Sequence, residues 1–266
     1  MHRTGLKPQT EQFDKLAAPN KNGKMKIVVR VLFPALVMML GCGREPVVEV
    51  TRIGELEELI KKGDMKTHTH LRDYVSTPHL YAIGSVTDLK GFIQVIDGRV
   101  YTGSVKEGGV NVDSSGDVDA TLLLFAHVNE WKEFDIPDEV KTWKQLEQFI
   151  GDQAVKFGIP KNRVSPFQLK GPFAKASWRV VDWDPADKEV TYKKTVQSGL
   201  HGDLINEDIS AVGFYSRQSY EVLAHKETNM HVHFVNHDHS IAGHLDDLEL
   251  DGRVKLYLPK PDPAKQ

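Results

Sequence analysis

Hydrophobic residues recur along this chain with three different spacings, and each predicts a different element. In "RIGELEELIKKGD", Ile53, Leu56, Leu59 and Ile60 fall at i, i+3, i+6 and i+7. That is the stripe of an amphipathic helix, with Gly63 placed to stop it. From Leu80 the period shortens. "LYAIGSVTDLKGFIQVIDGRVYTGSV" reads as three strands joined by turns at 88–91 and 97–98. "ATLLLFAHV", residues 120–128, is a continuous apolar run and predicts a strand buried on both faces. The helical period returns in "TWKQLEQFIGDQAVKFG", with Trp143, Leu146, Phe149 and Ile150 on one side and Thr142 as N-cap.

The second half is again strand-rich. "SPFQLKGPFAKASWRVVDWD" alternates on either side of Gly171 and Pro172. "AVGFYS" and "MHVHFV" follow, then "HLDDLELDGRVKLYL" with a turn at Asp251 and Gly252. Residues 45–50 read as a short linker and strand, and 259–266 as a flexible tail. No repeat or low-complexity tract interrupts the pattern. The expected fold is α+β and β-dominated, two sheet-centred halves with a few helices, over residues 50–258. A boundary between the halves is expected near 158–164.

Composition narrows the setting. The chain has 266 residues, 40% of them hydrophobic, enough for a sizeable core. A net charge of −3 without long blocks of either sign gives no reason to expect a nucleic-acid partner. The single cysteine, Cys42, excludes an intrachain disulfide. It follows "MKIVVRVLFPALVMMLG", a basic start and an apolar run too short to cross a membrane comfortably. This is the layout of a bacterial lipoprotein signal over 25–42, with Cys42 in the lipobox and 1–24 an overextended start. Pro34 and the polar stretch before Met25 argue against an N-terminal core helix. The expected location is the bacterial cell envelope, with membrane contact only through a lipid on Cys42.

Candidate chemistry is concentrated in "MHVHFVNHDHSIAGH". Five of the twelve histidines lie there: His231, His233, His237, His239 and His244. On a strand, His231 and His233 point to the same face. "NHDHS" is a turn, and a return strand would bring His244 opposite the pair. Three neutral imidazoles converging with open positions left over suit a catalytic zinc or a related divalent ion. An exposed, incidentally histidine-rich hairpin is the competing interpretation. His237 and His239 are expected in solvent. "KTHTH" repeats the spacing at His68 and His70, and there a surface strand or loop is expected.

Taken together, "AIGSVTDLKGFIQVIDGRVY", "FQLKGPFAKASWRVV", "AVGFYSRQSYEV" and "MHVHFVNHDHSIAGHLDD" resemble the bacterial α-acetolactate decarboxylases in order and spacing, over roughly 56–258. The resemblance implies that His231, His233 and His244 hold one zinc ion per chain. It also implies an active-site arginine, which counting from Gly171 and Phe173 puts at Arg179. The apolar neighbours Trp178, Val180 and Val181 independently suit an inward-facing arginine. Two departures stand out. The resemblance implies a glutamate after the glycine of the first turn, and the residue here is Phe92. It also implies a second glutamate in a C-terminal extension, which the sequence to Gln266 is not expected to supply.

That family decarboxylates acetolactate to acetoin. Zinc and a fixed guanidinium stabilise the enediolate, and an acid delivers the proton. Substitute acids to consider are Glu130, Asp88 and His127, each with an ordinary surface or strand role as its alternative. Two classes stay open. One is a zinc-dependent lyase acting on acetolactate or a related 2-hydroxy-3-keto acid. The other is a non-catalytic or diverged zinc-binding module for a small hydroxy acid, which Phe92 favours. A homodimer is compatible with either.

Overall fold

The structure, a computed structural model, describes residues 48–217 and 228–260. The expected signal at 25–42 with Cys42, the start at 1–24 and residues 261–266 of the tail lie outside the described residues. The described residues belong to one compact unit.

The chain runs β1 (Val50–Ile53), α1 (Leu56–Lys62), β2 (Thr69–His70), β3 (Leu80–Val86), β4 (Phe92–Ile96), β5 (Arg99–Lys106), β6 (Gly109–Asp113) and β7 (Asp119–His127). It continues as β8 (Trp131–Asp135), α2 (Trp143–Lys156), β9 (Ser165–Val180), α3 (Tyr192–Gln197), β10 (Leu200–Tyr215), β11 (Met230–Asn236), β12 (Ala242–Glu249) and β13 (Lys255–Pro259). The fold is α+β and strand-rich, with two sheet-centred halves and few helices.

Local chemistry explains the helix ends. Glu57 and Glu58 in the first turn of α1 and Lys61 and Lys62 in its last turn complement the helix dipole. Gly63 takes the left-handed conformation; its N–H donates to the Leu59 carbonyl at 3.0 Å and the Asp64 N–H to the Glu58 carbonyl at 3.3 Å. Thr142 and Gln145 close a reciprocal capping box on α2, which buries Leu146, Ile150 and Ala154.

The first sheet is antiparallel, in the order β1-β7-β3-β4-β5-β6, with β2 also on β7. The apolar run of β7 is explained by its two covered faces. Leu123 and Phe125 join one buried cluster, and Leu124 and Ala126 join another. The second cluster also holds Val212 and Phe214 of β10, so it joins the two sheets.

The second sheet has the order β10-β11-β12-β9-β13-β8, and β10 also pairs with β9. Strands β9, β12, β11 and β10 therefore form a closed circuit of antiparallel pairs. The chain passes from the first sheet to the second at 128–130, and residues 158–164 join α2 to β9 within the second half.

Three details differ from the patterning. The stretch around Gly171 and Pro172 is one strand of 16 residues rather than two. Gly171 absorbs the bend at φ +129°, where a side chain would be strained. The strands on either side of Asp251 and Gly252 do not pair with each other; both pair with β9, on different halves of its length. Finally, β10 begins at Leu200, well before the apolar "AVGFYS".

The sheets approach closely beside the histidine hairpin. A Cβ on Gly103 of β5 would overlap the Ala242 carbonyl of β12. Gln94 of β4 donates to the Ser210 carbonyl of β10 at 3.0 Å.

Candidate metal centre

The hairpin forms as its alternation requires. His231 and His233 share one face of β11, and His244 of β12 is directly opposite His233. Asn236 fixes the turn: its Oδ1 accepts from the Ile241 N–H at 2.9 Å and its Nδ2 donates to Ser240 Oγ at 3.1 Å. On its other side His244 faces Arg179 of β9. Three strands thus place His233, His244 and Arg179 in one row across the sheet.

The three ligand nitrogens lie within 4.8 Å of one another. His233 Nδ1 donates to the Ile93 carbonyl at 2.7 Å, since a carbonyl can only accept. Its Nε2 lone pair is thereby turned to the triad, 3.1 Å from His231 Nε2. His244 Nδ1 donates to Asp246 Oδ1 at 2.9 Å, which again leaves Nε2 for a ligand role. Four-coordinate zinc with bonds of ~2.0–2.1 Å needs nitrogens about 3.3 Å apart, so the donor set fits a small divalent ion. Burial pushes both His233 and His244 well below the ordinary imidazole value, with His231 adding to the first shift and Arg179 to the second. Both are therefore neutral at pH 7, the form that metal binding needs.

Arg179 is buried, its side chain 9% exposed, and is ion-paired to Asp246. Asp246 sits at a bulge in β12, and its carboxylate serves both His244 and Arg179. The sequence reading did not single out this residue. The signal was present in "GHLDD", because a side chain two positions after His244 on a strand lies on the same face.

Phe92 packs on the triad. Its ring centroid is 4.9 Å from that of His233 and 5.5 Å from that of His244. The Arg179 guanidinium carbon lies 5.8 Å from the same ring.

The other candidates lie elsewhere. Glu130 is 69% exposed and bonded to Lys260 at 2.9 Å, outside the cavity that reaches the triad. Asp88 is exposed in a 3-10 turn, and His127 is exposed with Nδ1 3.2 Å from the Pro78 carbonyl. His237 and His239 are exposed in the hairpin turn, as expected. His68 and His70 are exposed too, each against an aspartate.

That cavity is lined by the triad, Arg179, Asp246 and Phe92, and by residues of α1, β3 and β7. Three carboxylates line it among the described residues, and each has a partner. Glu57 is 2.5 Å from Lys61, Asp246 holds Arg179 and His244, and Asp247 accepts from the Leu248 N–H at 2.9 Å.

Solved structures share this fold. A Staphylococcus aureus protein of unknown function, similar to alpha-acetolactate decarboxylase, superposes with a TM-score of 0.63 at 14% identity, covering 79% of this chain and 85% of its own. The alpha-acetolactate decarboxylase of Bacillus subtilis strain 168 gives a TM-score of 0.62 at 18% identity, covering 81% of this chain and 90% of its own. Acetolactate decarboxylase from the subspecies spizizenii gives 0.62 at 19%, covering 81% and 91%. No curated protein matches in sequence. The alpha-acetolactate decarboxylase family profile matches residues 57–261, more than half of the chain, and the chain belongs to that family.

Proposed function

We propose that this chain is a functionally diverged member of its family. In this reading one divalent ion, zinc by its donor set, is held by His231, His233 and His244, and a small hydroxy acid binds there through its oxygens. The observation that carries the reading is Phe92 lying against the triad, where the family resemblance implies a glutamate. A phenyl ring neither transfers a proton nor binds a cation through oxygen. The carboxylates that line the cavity are engaged by Lys61, Arg179 and His244, or by backbone.

A zinc ion in the triad would supply Lewis acidity to the two oxygens of a chelating acid. The chain's own residues orient and enclose that ligand. Asp246 fixes the His244 ring, and the Ile93 carbonyl fixes His233. Arg179 presents positive charge beside the triad while its pair with Asp246 fixes its position.

A second reading is the family's own reaction, decarboxylation of acetolactate to acetoin. The buried Arg179 in register with His244 favours it. The two readings part on one experiment: the zinc-loaded chain is given racemic acetolactate and acetoin is followed. The diverged reading expects one zinc per chain, zinc-dependent hydroxy-acid binding and no acetoin. Acetoin formed by the parent and lost in both His231→Ala and Arg179→Ala would establish the decarboxylase instead. If the parent forms acetoin, Phe92→Glu is expected to raise its rate by roughly 100-fold or more, the usual scale of a placed general acid. The same reading includes export and lipid attachment at Cys42, tested by radiolabelled palmitate that enters the parent and not Cys42→Ala.

A further inference from the structure

The cavity at the triad has a volume of about 620 Å3. Acetolactate has about nine non-hydrogen atoms. Even at the ~30 Å3 that each water occupies in the liquid, such a molecule would fill less than half of that space. The volume instead falls among pockets of ~300–1,000 Å3 that enclose drug-sized ligands.

The wall is divided by chemistry. Histidines, Arg179 and Asp246 group at the hairpin. Much of the remaining lining is hydrocarbon: Leu56, Leu59 and Ile60 of α1, Leu89, Leu122 of β7, and Val181. These six pack in one apolar cluster. Phe92 belongs to both regions, since it packs on that cluster and its ring faces His233 and His244. The charged lining residues away from the triad, Arg52, Glu57, Lys61 and Asp247, are exposed, and the hydroxyl side chains on the lining are those of Ser85, Thr195 and Thr228. A polar ligand body against the hydrocarbon wall would lose its water and gain few partners, whereas an apolar body gains by leaving water.

We infer that the ligand is a chelating 2-hydroxy acid with an apolar body of roughly six to eight carbons, straight or aromatic. Its oxygens meet the triad, and its hydrocarbon runs past Phe92 onto α1 and β7. Phe92 then serves as a floor for the chain rather than as a lost acid. The inference rests on the chelating role proposed above.

The test is calorimetry on the zinc-loaded full chain with lactate, 2-hydroxybutyrate, 2-hydroxyhexanoate and 2-hydroxyoctanoate. Affinity is expected to rise about three- to fourfold per added methylene. Ile60→Trp, which fills the apolar end, is expected to flatten that rise. Equal affinity across the series would overturn the inference and leave the chelating reading standing. No binding by any member, with zinc bound, would overturn both. Octanoate binding as tightly as 2-hydroxyoctanoate would overturn the arrangement of head and tail.

Discussion

Histidines two residues apart occur at His68 and His70, at His231 and His233, and again at His237 and His239 in the exposed hairpin turn. The first two pairs, both on strands or at their edge, have different fates. His68 and His70 are exposed, and each imidazole meets its own carboxylate, Asp64 at 3.3 Å and Asp119. His231 and His233 project from a central strand, and a third imidazole, His244, faces them from the next strand. The spacing supplies only two side chains on one face. The site comes from the neighbouring strand that carries the third donor and from the burial that keeps His233 and His244 neutral.

The comparison breaks most sharply on a ligand. His233→Ala is expected to abolish stoichiometric zinc binding, lowering the count from one per chain to near zero by atomic absorption. The affinity loss should exceed the roughly 10–100-fold that removal of an outer-shell partner costs. Stoichiometric zinc retained at unchanged affinity in this variant would mean that the triad is not the site.

A smaller effect is expected one shell out. Asp246→Asn keeps a hydrogen-bond acceptor for His244 Nδ1 but removes the charge that faces both His244 and Arg179. Zinc affinity should fall by about 10–100-fold. Stability should fall by about 1–3 kcal/mol, because a buried guanidinium loses its carboxylate. Competition with a chromogenic chelator measures the first effect and urea unfolding the second. A loss of stability with no change in affinity would make Asp246 a structural partner of Arg179 alone.

The sequence made the hairpin legible because its signals agree: β-branched residues with imidazoles at i and i+2, a polar turn, and a second apolar run. Helix ends marked by Thr142 and Gly63 were legible for the same reason, since a side chain or a left-handed glycine fixes them locally. What the sequence hid depends on distant partners. Residues 200–210 of β10 carry Asp203, Glu207 and Asp208 and no continuous apolar run, yet they are held as a strand by β9. Nothing local says that β9 separates β12 from β13. Asp246 becomes a site residue only because Arg179 is brought opposite His244 by that same β9 pairing.

The smallest expected effect falls on the other copy. Replacing both His68 and His70 with alanine removes two exposed imidazole–carboxylate contacts, and exposed pairs contribute about 0–1 kcal/mol. Zinc stoichiometry should stay at one per chain and unfolding free energy should move by about 1 kcal/mol or less. The design has a built-in positive outcome for the opposite view. If the parent binds more than one zinc and the excess disappears in the double variant, then Asp64 or Asp119 completes a second site with these histidines. Spacing alone would then have been a sounder guide than burial. If the count is one in both proteins, the difference between the two pairs lies in the neighbouring strand that supplies the third imidazole, since residue type and spacing are identical.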